Sequence, residues 1–109
     1  MKFKKAKFHR RGAQGRLVEF WVVVGMKIDG LGIVEIRQLN SEFPILGTCT
    51  VTVEDDDGNQ YAISNSQGGG ISFCTQLSSG KIGLLPGSFG IDRLSRDCWK
   101  VEFKEPIEE

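Results

Sequence analysis

The chain has 109 residues, of which 39% are hydrophobic and 26% are charged, a composition typical of one globular domain with a single core. Its 14 glycines against three prolines predict many turns and disfavour long helices. The formal net charge is zero, but the charge is distributed unevenly along the chain.

The basic residues are concentrated at the amino end. Half of the 14 basic residues precede Leu17, and no acidic residue stands among them, which leaves seven basic and 14 acidic residues in the remainder. We interpret residues 1–15 as a basic arm, in part a strand, that precedes a single β domain over residues 16–105. Residues 106–109 are interpreted as an acidic tail.

The strongest apolar run, Leu17 to Ile28, predicts a strand. Its even-numbered residues are all apolar, while Leu17, Trp21 and Val23 share the other face with charged residues. A strand that is apolar on both faces is typically covered on both sides. We therefore expect this strand in the middle of the sheet, with a bend at Gly25.

The segment Ile33 to Leu39 predicts the antiparallel partner of that strand, after a turn over residues 29–32. Ile33, Ile36 and Leu39 also fit the spacing of a helix. The preponderance of β-branched residues favours the strand.

A β-hairpin is predicted over Thr48 to Asn65. Apolar and polar residues alternate on both sides of the loop from Asp55 to Asn59. Pairing Glu54 with Gln60 makes one face wholly apolar, and a slip of one residue would bury threonine and glutamate. The predicted pairs are Val53–Tyr61, Val51–Ile63, Thr52–Ala62 and Thr50–Ser64.

Further strands are predicted at Ile71–Leu77, at Lys81–Leu85 and at Cys98–Lys104, and one helical turn at 91–97. In the last strand Trp99, Val101 and Phe103 point to one side, and Pro106 is expected to end it. Five to seven short strands predict an all-β fold, either a small antiparallel barrel or a compact two-sheet sandwich.

The cysteines argue against both a disulfide framework and a metal site. Cys49, Cys74 and Cys98 are odd in number and contain no CxxC pair. The apolar run from Phe20 to Met26 is too short to cross a membrane, and no signal-peptide cleavage site follows it. We expect reduced thiols, a cytoplasmic location, no membrane insertion and no cofactor.

No arrangement of residues predicts catalysis. The sole histidine, His9, is followed by Arg10 and Arg11, which would disfavour its charged form rather than prepare it as a base. Three aspartates at 55–57 suggest calcium, but the spacing from Gly58 does not match an EF-hand loop. A hairpin turn with solvated carboxylates explains these aspartates fully. We expect a non-enzymatic protein.

The Arg10–Arg11 pair and the pattern Ser64-x-Ser66-x-x-Gly69 resemble the motif of the PilZ family. The resemblance implies a barrel that binds cyclic dinucleotides. The chain departs from the family where Ser64 stands in place of Asp or Asn, and its arginine pair lies farther away in sequence. Small-ligand binding of this kind is the third alternative.

The basic amino end, together with Trp21, is the strongest candidate for function. Cations interleaved with aromatic rings suit contacts with phosphates and bases, and equally suit an acidic protein surface. We expect a protein partner or self-association first and nucleic acid second; for Trp21 the alternative is a place in the core. The candidate residues are Lys4, Lys5, Lys7, Phe8, Arg10, Arg11, Arg16 and Trp21.

Overall fold

A computed structural model describes residues 1–28, 30–38, 49–65, 72–79, 82–83 and 98–107. Within these ranges the chain forms nine β-strands and one short 3₁₀ turn, which confirms the all-β class. The predicted helical turn at 91–97 lies outside the described residues. The strands are β1 (Lys2–Arg11), β2 (Leu17–Val23), β3 (Lys27–Ile28), β4 (Leu31–Gln38), β5 (Cys49–Glu54), β6 (Gln60–Asn65), β7 (Ser72–Gln76), β8 (Ile82–Gly83) and β9 (Cys98–Ile107).

Every strand pair is antiparallel. The strand order is β2-β1-β4-β5-β6-β7-β8, with β3 beside β4 and β9 beside β1. Among the described strands, β2 and β8 end this order and do not pair with each other, so the sheet is not closed into a barrel. Of the two predicted architectures, a compact open arrangement of the sandwich kind is the one consistent with this topology.

The strand β1 connects two parts of the sheet. β9 pairs with β1 from Lys2 to Arg10 and therefore occupies one of its two edges. On the other edge of β1, β2 pairs with residues 5–11 and β4 pairs with residues 2–3. β2 and β4 therefore share this edge, one after the other along β1. The hydrophobic core lies against β1, β4, β5 and β6.

The basic amino end differs from the expected arm, because residues 2–11 are β1 itself. Phe3, Ala6 and Phe8 are buried, whereas Lys4 is exposed. The lysines obscured the strand in the sequence, since their charge suggests a solvated segment. In the fold the strand buries its apolar side chains and directs lysines outward.

β2 alternates as predicted but lies at one end of the strand order rather than in the middle. Val22 is fully buried, whereas Leu17, Trp21 and Val23 are exposed. The second apolar face is therefore not covered by a second layer. The predicted bend at Gly25 is confirmed, with φ of 96°.

The hairpin β5–β6 has the predicted register at every pair, from Glu54–Gln60 to Thr50–Ser64. Its apolar face supplies five buried residues to the core: Cys49, Val51, Val53, Tyr61 and Ile63. The turn places Gly58 at φ of 84°, a conformation that other residues adopt only at a cost. The amino-acid pattern and the tertiary structure agree throughout this hairpin.

The remaining strands are confirmed where the structure describes them, but one predicted pairing is wrong over most of its length. β4 pairs with β1 and β5, and within the predicted partner Leu17–Ile28 it pairs only with β3. The segment from Ile33 is a strand and not a helix, since β4 extends from Leu31 to Gln38. β7 and β8 fall within the predicted strands. β9, however, continues through Pro106, which pairs with Phe3. The preceding Glu105 has a φ of 56°, and proline is tolerated at such irregular positions of a strand.

Candidate interaction surface

β2, β1 and β9 lie side by side and present one face that we call the outer face. Directly opposite residues of antiparallel strands point to the same side, so the register defines the members of this face. Its rows are Val23–Lys5–Lys104, Trp21–Lys7–Glu102, Glu19–His9–Lys100 and Leu17–Arg11.

A chain of ionic contacts crosses the three strands on this face. Lys7 Nζ lies 2.9 Å from Glu19 Oε2, and Lys100 Nζ lies 3.5 Å from Glu102 Oε1. Between them, His9 Nδ1 lies 3.2 Å from Glu19 Oε1, and His9 Nε2 lies 2.7 Å from Glu102 Oε2. The histidine thus connects β2 to β9.

His9 is 7% exposed, and each of its ring nitrogens faces a carboxylate. A neutral imidazole has one N–H and one acceptor nitrogen. The ring can therefore donate to both carboxylates only when it carries two N–H groups.

These contacts shift the acid–base equilibria of the carboxylates. The hydrogen bond from Lys7 lowers the pKa of Glu19 and raises the pKa of Lys7. The hydrogen bond from His9, together with the charge of Lys100, lowers the pKa of Glu102. Both carboxylates are therefore held in the ionised form.

The outer face has more cations than carboxylates. Glu19 and Glu102 are its only acidic members in the four rows, and the cations are Lys5, Lys7, Arg11, Lys100 and Lys104. With His9 counted as neutral, the formal charge of the face is positive. It is suited to an acidic surface or to phosphate.

Trp21 lies on this face and is 42% exposed, so its place is at the surface and not in the core. Lys5 Nζ lies 5.2 Å from the ring centroid and Lys7 Nζ lies 5.9 Å from it, both within the range of a cation–π contact. The two lysines hold the indole against β1 and leave part of it accessible.

The outer edge of β2 carries backbone groups that point away from β1. Val24 N donates to Lys4 O at 2.9 Å, and Gly12 N donates to Arg16 O, so even-numbered residues hydrogen-bond toward β1. By alternation, the N–H and C=O groups of Leu17, Glu19 and Trp21 point outward. Within the described ranges, no strand pairs with this edge.

The outer edge ends at Val23. Its N–H contacts Met26 Sδ at 3.0 Å, and its C=O accepts a hydrogen bond from Met26 N at 3.1 Å. The turn at residues 24–25 therefore uses the backbone groups of Val23. The accessible part of the edge extends from Leu17 to Trp21.

The candidate residues proposed from the sequence fall into different places. Lys5, Lys7, Arg11 and Trp21 share the outer face. Phe8 is 1% exposed and stacks on the Phe20 ring, with centroids 5.5 Å apart. It is a core residue and is not accessible to a partner.

Two of the other three candidates, Lys4 and Arg16, are not members of the four rows of the outer face. Lys4 and Arg16 are exposed, Lys4 on β1 and Arg16 in the connection to β2. The side chain of Arg10 lies outside the described part of the structure. The sequence interpretation missed the link from Glu19 through His9 to Glu102, because His9 and Glu102 are 93 positions apart.

The acidic hairpin tip is organised as a turn. Asp55 Oδ1 accepts hydrogen bonds from Asp57 N at 3.0 Å and from Asn59 N at 2.8 Å. Burial raises the pKa of Asp55, but the hydrogen bonds from Asn59 and Asp57 outweigh this effect and lower it. Among the described residues, no group of three or more His, Cys, Asp or Glu could hold a metal ion.

Of the residues that carry the PilZ resemblance, Ser66 and Gly69 lie outside the described residues. In the described ranges, no helix is both long and apolar enough to span a membrane. No protein-family model, curated protein or solved structure matches this chain.

Proposed function

We propose that the protein is a non-enzymatic binding module that contacts a protein partner through the outer edge of β2 and the adjoining outer face. The observation that carries the proposal is the exposure of apolar side chains on an edge strand. Leu17 is 63% exposed, Trp21 42% and Val23 38%. Edge strands of this kind pair readily with extended segments of other chains.

The charges beside the edge support a protein partner. Lys7 and Lys100 have carboxylate partners on the face itself, which reduces the charge available for phosphate. A partner that adds a strand to β2 would gain backbone hydrogen bonds and cover Trp21. A tryptophan held by neighbouring side chains is a typical centre of a protein interface.

A matched pair of substitutions tests the proposal. Val23→Lys places a charge on β2, and Val34→Lys places the same charge on β4 at a valine of similar exposure, 41%. Proteins retained by the immobilised wild-type chain should also be retained by Val34→Lys and lost with Val23→Lys. Equal retention by both variants would contradict the proposed surface.

Nucleic acid is the second candidate, supported by the excess of cations around Trp21 on the outer face. Binding of short oligonucleotides, measured by fluorescence anisotropy at low salt, should weaken as salt is raised. Lys5→Gln should weaken it further, while Lys27→Gln on β3 should not. Absence of binding at low salt would remove this candidate.

The cytoplasmic location belongs to the same proposal and rests on the cysteine pattern. Cys49, Cys74 and Cys98 are odd in number and contain no CxxC pair, which is compatible with a reducing compartment. Cyclic-dinucleotide binding stays a prediction from the sequence. Isothermal titration with a cyclic dinucleotide is its direct test.

A further inference from the structure

We infer that the partner at the outer edge of β2 is a second copy of this chain, paired antiparallel about a two-fold axis at Phe20. The inference rests on the proposed function and names the partner for that surface. A two-fold contact requires that the same strand be complementary to itself. The sequence of β2 and the direction of its backbone groups meet this requirement.

The proposed register follows from pairing Phe20 with Phe20 of the second copy. Leu17 then lies opposite Val23 of the other chain, and Val18 opposite Val22. Leu17 and Val23 are exposed, whereas Val18 and Phe20 are half-buried. Apolar side chains therefore meet apolar side chains on both faces of the joined sheet, and the inner pairs extend the core of each copy.

The same register places Glu19 opposite Trp21 of the second copy. Trp21 lies beneath the ammonium groups of Lys5 and Lys7, at 5.2 and 5.9 Å from the ring centroid. Each Glu19 carboxylate thus approaches a positive region on the other copy. Because the contact is symmetric, this charge complementarity occurs twice.

The backbone groups fit this arrangement. Glu19 and Trp21 both direct their N–H and C=O groups outward, so opposite residues of the two copies can exchange hydrogen bonds. Val23, whose backbone groups contact Met26, would contribute its side chain alone. The pairing therefore uses the part of the edge that the turn leaves accessible.

A competing two-fold register, centred on Glu19, offers one more hydrogen-bonded pair of residues. It would set Glu19 directly against Glu19 of the second copy, and like charges in directly opposite positions destabilise a sheet. It would also remove the apolar partner of Val23. The side chains therefore favour the register centred on Phe20.

Sedimentation equilibrium of the full chain tests the inference. The wild type should show a concentration-dependent monomer–dimer equilibrium. Val23→Lys should weaken dimerisation by about tenfold or more, since lysine opposes edge pairing, whereas Val34→Lys should dimerise like the wild type. A wild type that is monomeric at every concentration, or equal weakening by both variants, would overturn the inference.

Disulfide mapping tests the register. A mixture of the Leu17→Cys and Val23→Cys variants should form a disulfide between positions 17 and 23 in higher yield than a mixture of Leu17→Cys and Trp21→Cys forms one between 17 and 21. Peptide mapping distinguishes these links from those of Cys49, Cys74 and Cys98. A higher yield of the 17–21 link would overturn the register centred on Phe20.

The two proposals fail in different ways. A monomeric wild type that still retains another protein, with the retention abolished only by Val23→Lys, would remove the second copy and leave the proposed binding surface in place. A monomeric wild type with no such retention would remove both.

Discussion

The hairpins β5–β6 and β1–β2 bury one apolar face each but use the opposite face differently. In β5–β6 the second face carries small, uncharged residues such as Thr50, Thr52 and Ala62. In β1–β2 it carries lysines, a histidine, a glutamate and an exposed tryptophan. Alternating apolar and polar residues therefore predict a strand well when the polar side chains are small and neutral. They predict it less well when those side chains are charged.

Among the substitutions that test this comparison, we expect the largest loss of stability from truncating Phe8. Phe8→Ala should lower the free energy of unfolding by about 3–5 kcal/mol, as large-to-small substitutions of buried aromatic residues do. Urea denaturation followed by circular dichroism measures the change. Lys4→Ala, at an exposed position of the same strand, is the control. If residues 1–15 were an arm outside the domain, Phe8→Ala would leave stability unchanged.

A reciprocal exchange between the faces of β5 should have the next largest effect. Val53→Thr places a hydroxyl in the core and should destabilise the fold by about 1–3 kcal/mol. Thr52→Val, on the opposite face, should change stability by about 0.5 kcal/mol or less. The same denaturation measurement compares them. Equal effects would mean that the two faces of this hairpin do not differ in burial.

On the outer face, Trp21→Ala should cost only about 1 kcal/mol or less, because the indole is partly exposed and its contacts with Lys5 and Lys7 are cation–π contacts at the surface. Trp21→Phe keeps an aromatic ring and should reduce the free energy of unfolding by less than Trp21→Ala does. The comparison is made by denaturation at low protein concentration. A loss as large as that expected for Phe8→Ala would place Trp21 in the core.

The smallest expected effect concerns pH. The folded-state pKa of Glu102 is lowered, so its ionised form stabilises the fold above its ordinary value of 4.5. This stabilisation is lost as the pH falls from that value through the folded-state pKa. Glu102→Gln should therefore reduce stability at pH 7. The variant should also lose less stability than the wild type as the pH is lowered.

Thermal unfolding between pH 7 and pH 3 measures this dependence. Glu105→Gln, at an exposed carboxylate of the same strand but outside the ionic chain, is the control. A wild-type pH profile that Glu102→Gln leaves unaltered would show that the contact with His9 does not contribute to stability.

The candidate surface was only partly accessible to sequence reasoning. That Lys100, Glu102 and Lys104 share one side of the last strand was predictable from the sequence, since they alternate with apolar residues. Their position beside β1 was not, because it depends on pairing between segments about 90 residues apart. Phe8 was grouped with the basic residues because it stands among them in sequence, whereas in the strand it points to the opposite side.

The all-β class, the faces of β2 and the complete register of β5–β6 could be predicted from the sequence, because they follow from local alternation and a short loop. The tertiary structure was needed to show that the basic amino end belongs to the sheet and is not an arm, that β2 lies at an edge and that His9 connects two carboxylates. These features depend on which distant strands become neighbours. Residue periodicity specifies which face of a strand is apolar but does not specify the strand beside it.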